Sequence, residues 1–145
     1  MRVKIHRNLN APGGAVEWSV TATSGSNRGR VIGYVSAAVL QEVVFKTRPS
    51  AIERVQQRRA RAREVCAWVE GELVQGDVTR FRLNRDLNAR PVETSPGHSC
   101  KRIRIDVLNG RTDFFEEGTG VSISRAKRVM LTDSGQCWSD TFEEE

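Results

Sequence analysis

Histidine and cysteine are scarce in this 145-residue chain, at two and three residues, and tyrosine occurs once. The three cysteines, Cys66, Cys100 and Cys137, are far apart, odd in number and form no C-x-x-C pair. A disulfide framework is therefore disfavoured, and a reducing cytosolic setting fits better. A zinc site would need those cysteines and a histidine to converge without any ligand spacing in the sequence, so no metal site is expected. No run approaches the ~20 apolar residues of a membrane span. The opening MRVKIHRNLNAPGG also lacks the apolar stretch of a secretion signal. Neither a P-loop nor a dinucleotide fingerprint is present, because the Gly25-to-Gly29 spacing lacks the following Lys-Ser/Thr. His98 lies two residues from Cys100 in a Pro-Gly-His-Ser loop, and that spacing alone does not make a nucleophile–base dyad. No catalytic residues and no cofactor are expected.

What is abundant is positive charge. Lys and Arg total 23 against 18 acids, for a formal net charge of +5. Three of those acids are Glu143, Glu144 and Glu145, so the body is more basic than the total implies. A basic body favours polyanions such as nucleotides or nucleic acid, although a solvated, soluble surface would look the same. Hydrophobic residues, at 38%, are few but above the disordered range. A single domain of this length buries enough surface to fold without metals or disulfides.

Strand-like alternation appears at 2–7 and 16–23, separated by the turn Asn10-Ala-Pro-Gly-Gly14, which predicts an opening antiparallel hairpin. Further strands are expected at 31–35, 43–46, 65–74, 78–83 and 101–108, the last alternating Ile103, Ile105 and Val107 against Arg102, Arg104 and Asp106. A final hairpin spans 129–139 around Asp133-Ser-Gly135. One main helix is expected over 49–63, with Pro49 in its first turn. Residues 84–100 read as a long loop and 140–145 as a frayed acidic tail. The fold expected is α+β: a twisted antiparallel sheet of about five to seven strands with one main helix packed on a face. Such a sheet leaves one face uncovered, so a homodimer or higher homo-oligomer is expected.

Two basic groups stand out. Arg54, Arg58, Arg59, Arg61 and Arg63 fan around the helix rather than forming one ridge, so they predict weak, phosphate-only contacts with nucleic acid at most. The second group is Arg102, Arg104, Arg111, Arg125 and Arg128 around Phe114 and Phe115. Guanidinium groups take phosphate bidentately and a ring stacks on a base, so this pattern points to a nucleotide. Asn109-Gly110 is a turn ahead of Arg111. Arg28 and Arg30 sit in a Gly-rich turn whose amides can approach a phosphate.

Several short segments, in order, resemble the first-described type of phage Thoeris anti-defence protein. They are Trp18-Ser-Val20, Gly29-Arg-Val-Ile-Gly33, Val44-Phe-Lys46, Arg54-Val55, Cys66-Ala-Trp-Val-Glu-Gly71, Val107-Leu-Asn109, Phe114-Phe115 and Val121-Ser-Ile-Ser-Arg-Ala126. Cys66 stands where that family has a histidine, and Leu108-Asn109-Gly110 where it has an aromatic–Asn–Pro run. The resemblance implies a non-enzymatic sponge that sequesters cyclic ADP-ribose isomers, in some members also cyclic oligonucleotides, within the cytoplasm of an infected bacterial host. It implies oligomers with ligand at the subunit boundary. The ligand-binding residues expected from residues and resemblance together are Arg28, Arg30, Phe45, Lys46, Arg104, Asn109, Arg111, Phe114, Phe115 and Arg125.

Overall fold

The computed structural model describes residues 1–58, 64–83, 87, 90–92 and 100–140. The opening hairpin forms as expected: β1 (Arg2–Arg7) pairs antiparallel with β2 (Trp18–Ala22), Arg7 standing opposite Trp18. The next two expected strands, 31–35 and 43–46, are one strand, β3 (Val31–Thr47). Nothing between them breaks an extended chain, and a bulge at Glu42 lets it bend: this is the one non-glycine residue with positive φ (53°) among the described residues. Likewise the segments 65–74 and 78–83 are one strand, β4 (Ala67–Phe81), which passes through Gly71 and Gly76. Gly71 is required there by close approach. A Cβ on it would lie 2.9 Å from the Gln41 carbonyl oxygen and 3.0 Å from Val43 Cγ2.

Between β3 and β4 lies the helix α1 (Pro49–Arg58), which buries Ala51 and Ile52. The rest of the expected helix, 59–63, falls outside the described residues, as do most of the 84–100 loop and residues 141–145. The alternating run at 101–108 is only partly strand. β5 covers Cys100–Arg104, and the chain then tightens into a 3-10 turn at Val107–Asn109, closed by Gly110 at φ 96°. That turn docks on α1, where Gln56 Nε2 donates to the Val107 carbonyl at 3.1 Å. β6 (Phe115–Glu116), β7 (Arg125–Leu131) and β8 (Cys137–Asp140) complete the chain. Asp140 is no frayed tail residue. It is buried at the end of β8, accepting from the Cys100 thiol at 3.3 Å.

The strands form one antiparallel sheet in the order β2-β1-β4-β3-β7-β8-β5-β6. β2 also pairs with the first half of β3, Trp18 opposite Val35, so β2, β1, β4 and β3 close into a ring. On the same edge of β3, farther along, β7 takes over, from Ala38 opposite Leu131 to Val44 opposite Arg125. The expected α+β sheet of five to seven strands is thus corrected: among the described residues the protein is mostly β, with eight strands and a single short α-helix. Val3, Ile5, Val20, Val35, Leu40, Val129 and Leu131 fill the core inside the curl.

Candidate functional site

The four strands β7, β8, β5 and β6 extend from β3 as a wing that faces back toward the end of the opening hairpin. The contact is specific. Trp18 Nε1 donates to the Thr132 carbonyl at 3.0 Å, and the Arg7 guanidinium packs over the backbone of Gly135 in the β7–β8 turn. Between wing and ring lies a cavity of about 350 Å³. One wall is β1, Trp18 and residues 64–69; the other is β5 with Gln136, Cys137 and Phe114.

The charged groups at this cavity are mostly cationic. Arg7 stacks against Trp18, 5.7 Å from the ring centroid. Arg102 and Arg104 come from β5 and share one acid, Glu117, at 3.6 and 3.1 Å. Two guanidiniums against one carboxylate leave a net positive charge. Glu64, the acid in the lining, is taken by Arg54, whose Nε donates to it at 2.7 Å. That bond also removes Arg54 from the set of helix arginines open to phosphate. Arg59, Arg61 and Arg63 lie outside the described residues. The two thiols in the lining are inert. Burial pushes Cys137 up to about 12 and raises Cys66 as well, the opposite of what a nucleophile needs.

The expected ligand-binding residues divide into separate places. Arg104 and Phe114 line the cavity. Phe45 stands behind Phe114, ring centroids 5.0 Å apart, and both are core. Phe115, by contrast, is half-buried under Arg111, whose guanidinium lies 4.2 Å above the ring. Arg111 is spent within its own loop, since it donates to Asp113 at 3.0 Å, to the Gly120 carbonyl at 3.0 Å and to Ser122 at 3.3 Å. Asn109 is spent too, with its amide on both carboxylate oxygens of Asp106 at 3.0 Å. Arg28 and Arg30 are exposed in the β2–β3 turn, away from the cavity, and Lys46 and Arg125 are exposed on β3 and β7. His98 lies outside the described residues, and its supposed partner Cys100 is paired with Asp140.

Sequence reasoning missed Arg7 and Trp18 as cavity residues. A signal was present: a hairpin whose loop end pairs an arginine with a tryptophan. It needed the register to be readable. Trp68 also lines the cavity, and its indole N–H is buried without an acceptor among the described residues.

Residues 1–98 match the family described as Mycobacterium phage L5 gene 82 protein. The chain belongs to that family. It is therefore a phage protein, and the match spans β1 to β4 with the Arg7–Trp18 wall of the cavity. The gene 82 family name carries a phage origin and no activity, and it gives no support to a link with Thoeris. No curated protein and no solved structure matches the chain. Among the described residues of this gene 82 family member, no helix is long and apolar enough to cross a membrane.

Proposed function

We propose that the protein binds and sequesters a small phosphate-bearing nucleotide of the cyclic ADP-ribose class, without cleaving it, in the cavity between hairpin and wing. One observation carries the reading: a space of about 350 Å³ is lined by Arg7, Arg102 and Arg104 together with Trp18 and Phe114. That volume lies within the range of small-molecule sites, and the pairing of cation and ring suits phosphate and base together. Sequestration rather than cleavage is supported by the burial that raises the pKa of both lining thiols and so disfavours a nucleophilic thiolate. The setting of the reading is the cytoplasm of an infected host, and the working unit is a homo-oligomer. Exposed Phe81 and Leu83, at the end of β4, are apolar surface that a second copy would cover.

Calorimetry against cyclic ADP-ribose isomers and cyclic oligonucleotides, followed by heat release, tests both halves. Intact ligand recovered means a sponge, and altered ligand means an enzyme. Arg104→Ala is expected to weaken binding ten- to a hundred-fold, about the worth of a charged hydrogen bond. Affinity equal to the parent's for every nucleotide tested would remove the site. Light scattering that shows a 16.2 kDa monomer at micromolar concentration would remove the oligomer.

A further inference from the structure

The outer face of the sheet carries cations that neither the fold nor the cavity uses. Lys46 on β3 stands opposite Trp68 on β4. Lys4 Nζ from β1 lies 5.4 Å from the centroid of the Trp68 ring, and the guanidinium of Arg48, just past β3, lies 5.5 Å from it. One row farther along the same face, Arg125 of β7 stands opposite Val44, and Lys127 follows it at the two-residue spacing that returns to the same side. Arg125 and Lys127 are exposed and border a groove of about 450 Å³ at the Glu42 bulge. None of these five cations forms a salt bridge among the described residues, although Arg48 is close enough to Glu64 to help lower its pKa. The acids of this face are largely taken: Glu72 holds the N-terminal ammonium at 2.9 Å and Glu70 lies 3.6 Å from Arg2, which leaves Glu42 alone.

We propose that this face is a docking surface for single-stranded nucleic acid, held by its phosphates along Lys4, Lys46, Arg48, Arg125 and Lys127 and by a base at Trp68. Charge complementarity selects a polyanion. The tryptophan selects a single strand, because a duplex hides the faces of its bases whereas an unpaired base can stack on an indole. The cations that rest on the indole are the same groups that would move to the flanking phosphates. Trp68 also lines the cavity but the five cations do not, so a test on Lys46 and Arg125 is separate from nucleotide sequestration.

The test is fluorescence anisotropy of a labelled 20-nucleotide oligothymidylate against the full chain over a salt series. Five phosphate contacts predict a slope of log affinity on log salt of about −3 to −4, and a loss of roughly 100-fold between 50 and 200 mM salt. Lys46→Gln combined with Arg125→Gln removes two contacts. It is expected to make the slope shallower by about 1.4 at unchanged melting temperature, since both side chains are exposed and unpartnered. Arg28→Gln with Arg30→Gln, in the β2–β3 turn, is the control and is expected to leave the slope as it was. Absence of binding at 50 mM salt, or an unchanged slope in the Lys46/Arg125 variant, overturns the proposal. Tighter binding of a duplex of the same length, or equal binding of polyglutamate, overturns the choice of a single strand. Should the double variant melt early, Lys46→Arg with Arg125→Lys, which keeps the charge, is expected to bind as the parent does, and loss of binding there also overturns it.

Discussion

Two adjacent phenylalanines show how a side chain's role follows from what it touches. Phe114 and Phe115 are indistinguishable in the sequence, yet Phe114 packs on Phe45 in the core while Phe115 lies under Arg111. Phe114→Ala is expected to cost about 3–5 kcal/mol of stability, as core aromatic truncations do, and Phe115→Ala far less. Chemical denaturation of the two variants checks this, and equal losses would refute the assignment. A buried acid supplies a second prediction. Glu17 accepts from Arg80 Nη2 at 3.1 Å, from the Thr79 hydroxyl at 2.7 Å and from Asn8 at 3.0 Å. Arg80 in turn stacks 3.9 Å above the Tyr34 ring. The hydrogen bond from Arg80, with those from Thr79 and Asn8, holds the Glu17 carboxyl below its usual value against the cost of burial. Its folded pKa is depressed, so its stabilisation is complete above the unfolded value, near 4.5, and is lost as pH falls through the folded one. Thermal melts between pH 7 and pH 2 are expected to show Glu17→Gln less stable than the parent at neutral pH, by about 1–3 kcal/mol. The difference should close in acid, and a pH-independent gap would show that the carboxylate is not the cause.

At the scale of elements, Gly33 and Gly71 fall inside strands, as the expected segments 31–35 and 65–74 have them, and each sits where another chain segment comes too close for a side chain. Gly71→Val is therefore expected to destabilise by about 1–3 kcal/mol through overpacking against Gln41 and Val43, although valine has the better strand propensity. A melting temperature at or above the parent's would show that the β3 bulge can yield. The reading at 101–108 is corrected. Perfect alternation predicts a strand of eight residues, but the described strand ends at Arg104, because the Val107–Asn109 turn docks on α1 instead of pairing. Local periodicity reports which face is apolar, and the partner decides whether that face stays extended.

At the scale of the molecule, the wing is joined to the ring by the β3–β7 ladder, and the Trp18 indole donating to Thr132 adds a link across the cavity. Trp18→Phe keeps the apolar bulk and deletes that bond. Hydrogen exchange is expected to quicken at the amides of β8 and of the β7–β8 turn while β1 to β4 keep their protection. Uniform quickening would mean that wing and ring open as one unit. The closure of β2 onto β3 also changes what covers the sheet. An open sheet needs a second layer, whereas a curled one buries its own inner face.

Much was determined by the sequence alone: the opening hairpin and the final one, the helix start at Pro49, the turn at Asn109-Gly110, and a basic body with arginines near aromatics. All of these rest on neighbours within a few residues, where propensity and spacing act. Only the tertiary structure decided that β2 closes on β3, that Arg7 and Trp18 face Arg104 across a cavity, and that Arg111 and Asn109 are spent on Asp113 and Asp106. The physical reason is that a side chain's availability depends on long-range register. A strand that shifts by one residue turns every side chain to the other face, and no local pattern in one chain records which partner a guanidinium will meet.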